Sequence, residues 1–131
     1  MAERPLSPHL SVYRMSRYTV LTSIMNRFTG VVLSAGLIVL VYWLMAIAGG
    51  PGDYGRALAI LSPELARFVF LILLAAFSYH LMAGIRHLVW DTGRGLERTQ
   101  SQRSAWLVSI ASLVLFAALA WCLWTGAGGT P

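Results

Sequence analysis

Apolar residues dominate this chain in three long runs, separated by two short polar interruptions. The first run carries no charge from Val31 to Gly50, twenty residues. At ~1.5 Å per residue that is enough to cross ~30 Å of hydrocarbon. Gly49-Gly50-Pro51-Gly52-Asp53 breaks it. Residues 53–66 predict a short interfacial helix from Tyr54 to Leu61, and Ser62-Pro63-Glu64 has the form of a helix start. A second run extends from about Phe68 to Val89, closed by Trp90 at the depth where interfacial aromatics collect. Asp91 to Arg103 reads as a polar loop, and a third apolar run follows from about Ser104 to Trp124. Small residues in that run (Ser109, Ser112, Ala117, Ala118, Ala120) suit close helix packing. The pattern predicts an all-α membrane protein with three transmembrane helices. Residues 1–29 form an N-terminal segment and the interfacial start of the first helix, 30–125 the anchor, and 126–131 a flexible tail.

Composition agrees. The chain has 131 residues, of which 57% are hydrophobic and only 11% charged, unlike a soluble domain. Its one cysteine, Cys122, permits neither an intrachain disulfide nor a thiolate metal site. The formal charge of +5 comes from ten arginines and no lysine. These arginines sit at the ends of apolar runs rather than in a stripe, which argues for membrane orientation and against nucleic acid. Arg4, Arg14, Arg17 and Arg27 precede the first span, and Arg94, Arg98 and Arg103 follow the second. The intervening loop sets Arg56 and Arg67 against Asp53 and Glu64. Positive-inside then places the N-terminus and the 91–103 loop in the cytoplasm and the C-terminus in the periplasm. The opening residues read as neither an export signal nor a transit peptide, so a multi-pass protein of a bacterial inner membrane, or one made inside an organelle, is expected. Pro5 and Pro8 argue against a helix in the first seventeen residues.

Two groups of residues could carry chemistry. In the second span His80, Gly84, His87 and Asp91 fall within about 60° on one helical face, with His80 about 16 Å deeper than Asp91. Ionisable groups at that depth face a bundle interior, a cofactor or a water-filled cavity. A histidine followed one turn later by glycine suits a ligand beside a flat macrocycle; a polar seam bonded to a neighbouring helix meets the same spacing. At the start of the first span Ser23, Asn26, Arg27 and Gly30 form a polar stripe. Ser23 and Arg27 offer a hydroxyl and a fixed cation beside apolar surface. That would hold a quinone, or equally an arginine reaching lipid phosphate beside a serine bonded to its own backbone.

His80-x-x-x-Gly84-Ile85-Arg86-His87-Leu88-x-Trp90-Asp91 resembles the second-helix motif of the succinate dehydrogenase cytochrome b subunits, the larger membrane anchors of respiratory complex II. Arg4-Pro5-Leu6-Ser7-Pro8-His9-Leu10-Ser11-Val12-Tyr13 and Ser23-Ile24-Met25-Asn26-Arg27-Phe28-Thr29-Gly30 resemble further blocks of that family, in the same order. The resemblance implies one half of a heterodimeric anchor bundle. It makes His80 the axial ligand of one haem b, shared with a second, smaller anchor subunit that supplies the other ligand. It puts His87 near the haem propionates and Ser23 and Arg27 at a ubiquinone-reduction site; the shared cytoplasmic face of the two spans puts Asp91 in that site's vicinity. It further implies an iron–sulfur and a flavoprotein subunit as partners, on which succinate is oxidised. The chain itself has no Gly-rich dinucleotide loop and no cysteine cluster, so it holds no catalytic residue alone. His9 reads as a surface residue ordering the N-terminal segment against a soluble partner. Asn26 departs from the histidine frequent in the family before this arginine, and an amide cannot carry charge. The rival reading is a cofactor-free structural anchor or assembly subunit.

The arginine placement makes a direct prediction. A topology reporter fused after Pro131 should be periplasmic and one inserted near Arg98 cytoplasmic; both on one side would overturn the three-span reading.

Overall fold

In the computed structural model, residues 17–127 are described, and they form four helices with no strand among them. The N-terminal block with His9 and the last four residues lie outside the described residues. Helix α1 spans Arg17–Ala48, α2 Pro51–Ile60, α3 Pro63–Asp91 and α4 Arg98–Ala127. Three of them are long and apolar enough to cross a membrane, which makes this a multi-pass membrane protein. At 32, 29 and 30 residues they exceed the ~20 that hydrocarbon requires, so their ends extend into the interface.

Local chemistry sets the boundaries. Gly50, at φ +93°, turns the chain out of α1, and Pro51 starts α2 with its ring already at a helical φ. Helix α2 therefore begins at Pro51 rather than at the expected Tyr54. Ser62 caps α3, its Oγ accepting from the Leu65 amide at 3.3 Å. At the other end, the Gly93 amide donates to the Trp90 carbonyl at 2.8 Å, and the Thr92 hydroxyl to the Val89 carbonyl at 2.7 Å. Gly93 and Gly95, both at positive φ, complete the turn.

The loop after α3 is shorter than its polarity suggests. Residues 98–103, expected as loop, are already the first turns of α4. The backbone breakers are Gly93 and Gly95; Arg98-Thr99-Gln100-Ser101-Gln102-Arg103 contains none. Polarity there marks the edge of the hydrocarbon, not the end of the helix.

Helix α3 is central and packs on both α1 and α4, while α1 also meets α4 and carries α2. The interior is made of small and polar side chains. Ala46, Ala57, Ala76, Ala83, Ala105 and Val108 are buried, together with Thr22, Thr29, Ser78, Arg86 and Ser112. Large apolar side chains such as Phe28, Ile38, Leu88 and Trp124 point outward. Lipid gives such groups no reason to hide, so close packing and interhelical hydrogen bonds hold the bundle instead. Gly36 of α1 lies so near Leu73 of α3 that a Cβ there would run into the leucine side chain. Tyr18 stacks on Trp106 with ring centroids 4.3 Å apart, and its hydroxyl lies 2.7 Å from Ser109 Oγ, tying α1 to α4.

Gly36→Val should therefore overpack the α1–α3 contact, costing ~1–3 kcal/mol. Thermal denaturation of the purified assembly checks this, and an unchanged midpoint would show that Leu73 yields freely.

Candidate functional site

The antiparallel register of α1 and α3 orders the polar residues by depth. Gly36 faces Leu73, Gly30 faces His80, and Thr22 meets Arg86. Ser23 thus sits at the depth of His87, with Arg27 between there and His80.

His80 is held from one side only. Its Nδ1 lies 3.2 Å from the Asn26 carbonyl oxygen and 3.2 Å from Thr29 Oγ1. A carbonyl can only accept. The Thr29 hydroxyl already donates to the Met25 and Asn26 carbonyls, at 2.9 and 3.0 Å. Both neighbours therefore demand a proton on Nδ1, which leaves the lone pair on Nε2. This is the second-side hydrogen bond that orients a ligating imidazole.

The ring borders a groove of about 560 Å³ lined by Gly30, Leu33, Ser34, Leu37, Ile38, Val41 and His80. The Ser34 hydroxyl is spent on the Gly30 carbonyl at 2.9 Å. Nε2 is thus the uncommitted polar atom among the groove's side chains. A Cβ on Gly30 would sit 3.2 Å from His80 Cε1, so glycine is what lets the ring lie flush against α1. A Cβ on Gly84, one turn beyond His80, would meet nothing within 4 Å, so that face is open as well. Nearby, Asn26 Oδ1 is buried with no hydrogen-bond partner among the described residues, an acceptor awaiting a donor from outside them. A correctly tautomeric imidazole, an apolar groove and an orphan polar atom together fit a large, mostly apolar ligand bound end-on to Nε2. Haem has that character.

Ser23 and Arg27 belong to the same surface. Positions 23, 27, 30, 34, 37 and 41 lie within about 80° on α1, so the pair stands directly above the groove. Both are exposed, and neither makes a hydrogen bond or ion pair among the described residues. His87 is exposed with its ring edge-on to Trp90, centroids 5.3 Å apart, and Asp91 is exposed at the end of α3. The structure brings His87 to the depth of Ser23 without contact between them, and it draws neither His87 nor Asp91 into a shared hydrogen-bond network with Arg27.

One residue gained a role that spacing did not assign. Arg86 is only 9% exposed and spans three helices. Its Nε donates to Ser104 Oγ at 3.0 Å and its Nη2 to the Ser101 carbonyl at 2.8 Å and Ser101 Oγ at 3.2 Å. Nη1 reaches Thr22 Oγ1 at 3.4 Å. The guanidinium carbon lies 4.1 Å from the Trp90 ring centroid. Among the described residues no carboxylate pairs with it, and the one salt bridge is Arg56–Asp53. An arginine inside an apolar run was the visible signal, since such a charge always needs partners. What hid its role was that the partners are hydroxyls on two other helices.

Three apolar helices packed through small and polar side chains, with a histidine beside an apolar groove, define a multi-pass membrane anchor. Residues 1–119 match the family described as succinate dehydrogenase/fumarate reductase transmembrane subunit, and the chain belongs to that family. It is 41% identical over 112 residues to the succinate dehydrogenase cytochrome b556 subunit of Paracoccus denitrificans, covering 86% of this chain and 85% of that one. It is 34% identical over 113 residues to the cytochrome b556 subunit of Rickettsia felis, covering 86% and 87%. Against the mitochondrial cytochrome b560 subunit of Mus musculus it is 37% identical over 119 residues, covering 87% and 66%.

Proposed function

We propose that this chain is the cytochrome b anchor of a succinate dehydrogenase in a bacterial inner membrane. It would hold one haem b through His80 and present Ser23 and Arg27 to ubiquinone. The observation that carries the reading is the imidazole: its Nδ1 is engaged by α1, its Nε2 has no partner among the described residues, and the ring lines an apolar groove. The relatives named cytochrome b556 and b560 support it.

When bound, the haem supplies one-electron redox chemistry whose potential the ligand and its surroundings tune. The chain's own residues do the rest. The Asn26 carbonyl and Thr29 hydroxyl fix the His80 tautomer and ring plane. His87, two turns nearer the cytoplasm and exposed, would serve the polar edge of the haem. A second, smaller anchor subunit would share in holding the haem.

At the mouth, the Arg27 guanidinium stabilises negative charge as electrons reach a quinone oxygen. The Ser23 hydroxyl donates a second, neutral hydrogen bond. Exposure of both side chains on the face above the groove is what lets a substrate reach them. Asp91, at the membrane boundary, belongs to the same cytoplasmic approach. Flavoprotein and iron–sulfur partners oxidise succinate and dock on that side, and the arginine distribution supports a periplasmic C-terminus.

His80→Ala should abolish or severely perturb the reduced-minus-oxidised b-type spectrum of the purified complex, whereas a normal spectrum would end the assignment. Arg27→Leu should spare succinate oxidation by an artificial dye and lower quinone reduction roughly ten- to a hundredfold, the worth of a charge-assisted hydrogen bond. Ser23→Ala should act in the same direction but less. Equal loss with dye and quinone, normalised to flavin, would move Arg27 from the site to the scaffold.

A further inference from the structure

Thr22 is where α3 grips α1 twice. The Tyr79 hydroxyl donates to the Thr22 carbonyl at 3.1 Å, and Arg86 Nη1 donates to the Thr22 hydroxyl at 3.4 Å. Tyr79 and Arg86 are seven residues apart, so they leave α3 from nearly the same face, two turns from one another. Arg86 cannot easily follow a movement of α1, because Ser101, Ser104 and Trp90 hold it from the other side.

Ser23 and Arg27 follow Thr22 by one and five residues and have no bonds of their own among the described residues. Where their side chains point is therefore set by the rotation of α1 about its axis at this level. A side-chain atom ~6 Å from a helix axis moves ~1 Å for a rotation of ~10°. A displacement of ~1 Å at a reacting centre can cost as much as ~100-fold in rate. The buried tie at Thr22 is thus close enough to the mouth to matter.

We infer that Tyr79 and Arg86 are positioning residues for quinone reduction: acting through Thr22, they set the rotation of α1 that aims Ser23 and Arg27. The inference rests on the quinone reading of that pair and adds to it the α3 residues that orient the site. It also gives the buried guanidinium a purpose. Its planar fork reaches α1 with one nitrogen and α4 with the other two, which a lysine could not do.

The test uses the complete complex carrying Tyr79→Phe, Thr22→Val, or both. Ser104→Ala is the comparison, because it removes a tie of Arg86 to α4 without touching α1. Three readouts are needed: kcat/KM for a short-chain ubiquinone analogue, dye turnover per flavin, and the thermal midpoint. Each lost bond should lower quinone kcat/KM about threefold, and the pair up to about tenfold, with dye turnover unchanged. Ser104→Ala should lower the thermal midpoint comparably while leaving quinone kcat/KM within about twofold of the unaltered complex. Unchanged kcat/KM in the double variant, or an equal fall in Ser104→Ala, overturns the inference. If the double variant does not assemble, Tyr79→Phe alone, which removes a single oxygen, decides between the same two outcomes. Arg27→Leu measured alongside tells the two proposals apart. Intact quinone turnover there rejects the quinone site itself, whereas a loss there with none in Tyr79→Phe rejects only the positioning role.

Discussion

A guanidinium buried among three membrane helices is the constraint from which the rest of this bundle follows. A charged side chain at membrane depth costs ~2.5–3.5 kcal/mol by insertion scales even when it finds relief. Arg86 finds that relief through Ser101 and Ser104 of α4, Thr22 of α1 and the face of Trp90. Each of those partners has to be at the right height, so the charge sets the relative registers of α1, α3 and α4 together. Trp90 is itself fixed by its indole nitrogen donating to the Gly95 carbonyl at 3.0 Å, which ties the α3–α4 turn into the same network.

With registers set by polar contacts, packing can rely on small residues. Gly30 and Gly36 let α3 come close to α1, and Ala76, Ala83 and Ala105 do the same elsewhere in the interior. The large apolar side chains are displaced outward, which leaves a groove rather than a filled core beside His80. In a soluble protein that arrangement would be unstable. In a bilayer it leaves surface that lipid, a cofactor or another anchor helix can cover at little cost.

The polar residues then sort by depth along one side of α1. Thr22, Asn26 and Thr29 face α3, where they hold Tyr79, Arg86 and His80. Ser23 and Arg27 lie about 100° further round the helix and remain exposed. Bonded and exposed polar side chains are thereby divided between adjacent positions of one short segment.

Much of this was legible in the sequence. Hydropathy and arginine placement determined three spans, the break at Gly49-Gly50-Pro51 and the cap at Ser62, because lipid solvation and backbone hydrogen bonding act on each residue locally. His80 stood out for the same local reason: ligand-type chemistry in an apolar run is expensive wherever the helix lies. The start of α4 at Arg98 escaped that logic, since a polar turn beyond the hydrocarbon can be loop or helix with equal hydropathy. The role of Arg86 escaped it too. Its partners are serines and threonines dozens of residues away, types common enough to carry no signal alone, and only the packing of α1 and α4 on α3 brings them within hydrogen-bond distance. The tautomer of His80 was likewise decided by tertiary structure, because it depends on a carbonyl and a hydroxyl supplied by another helix.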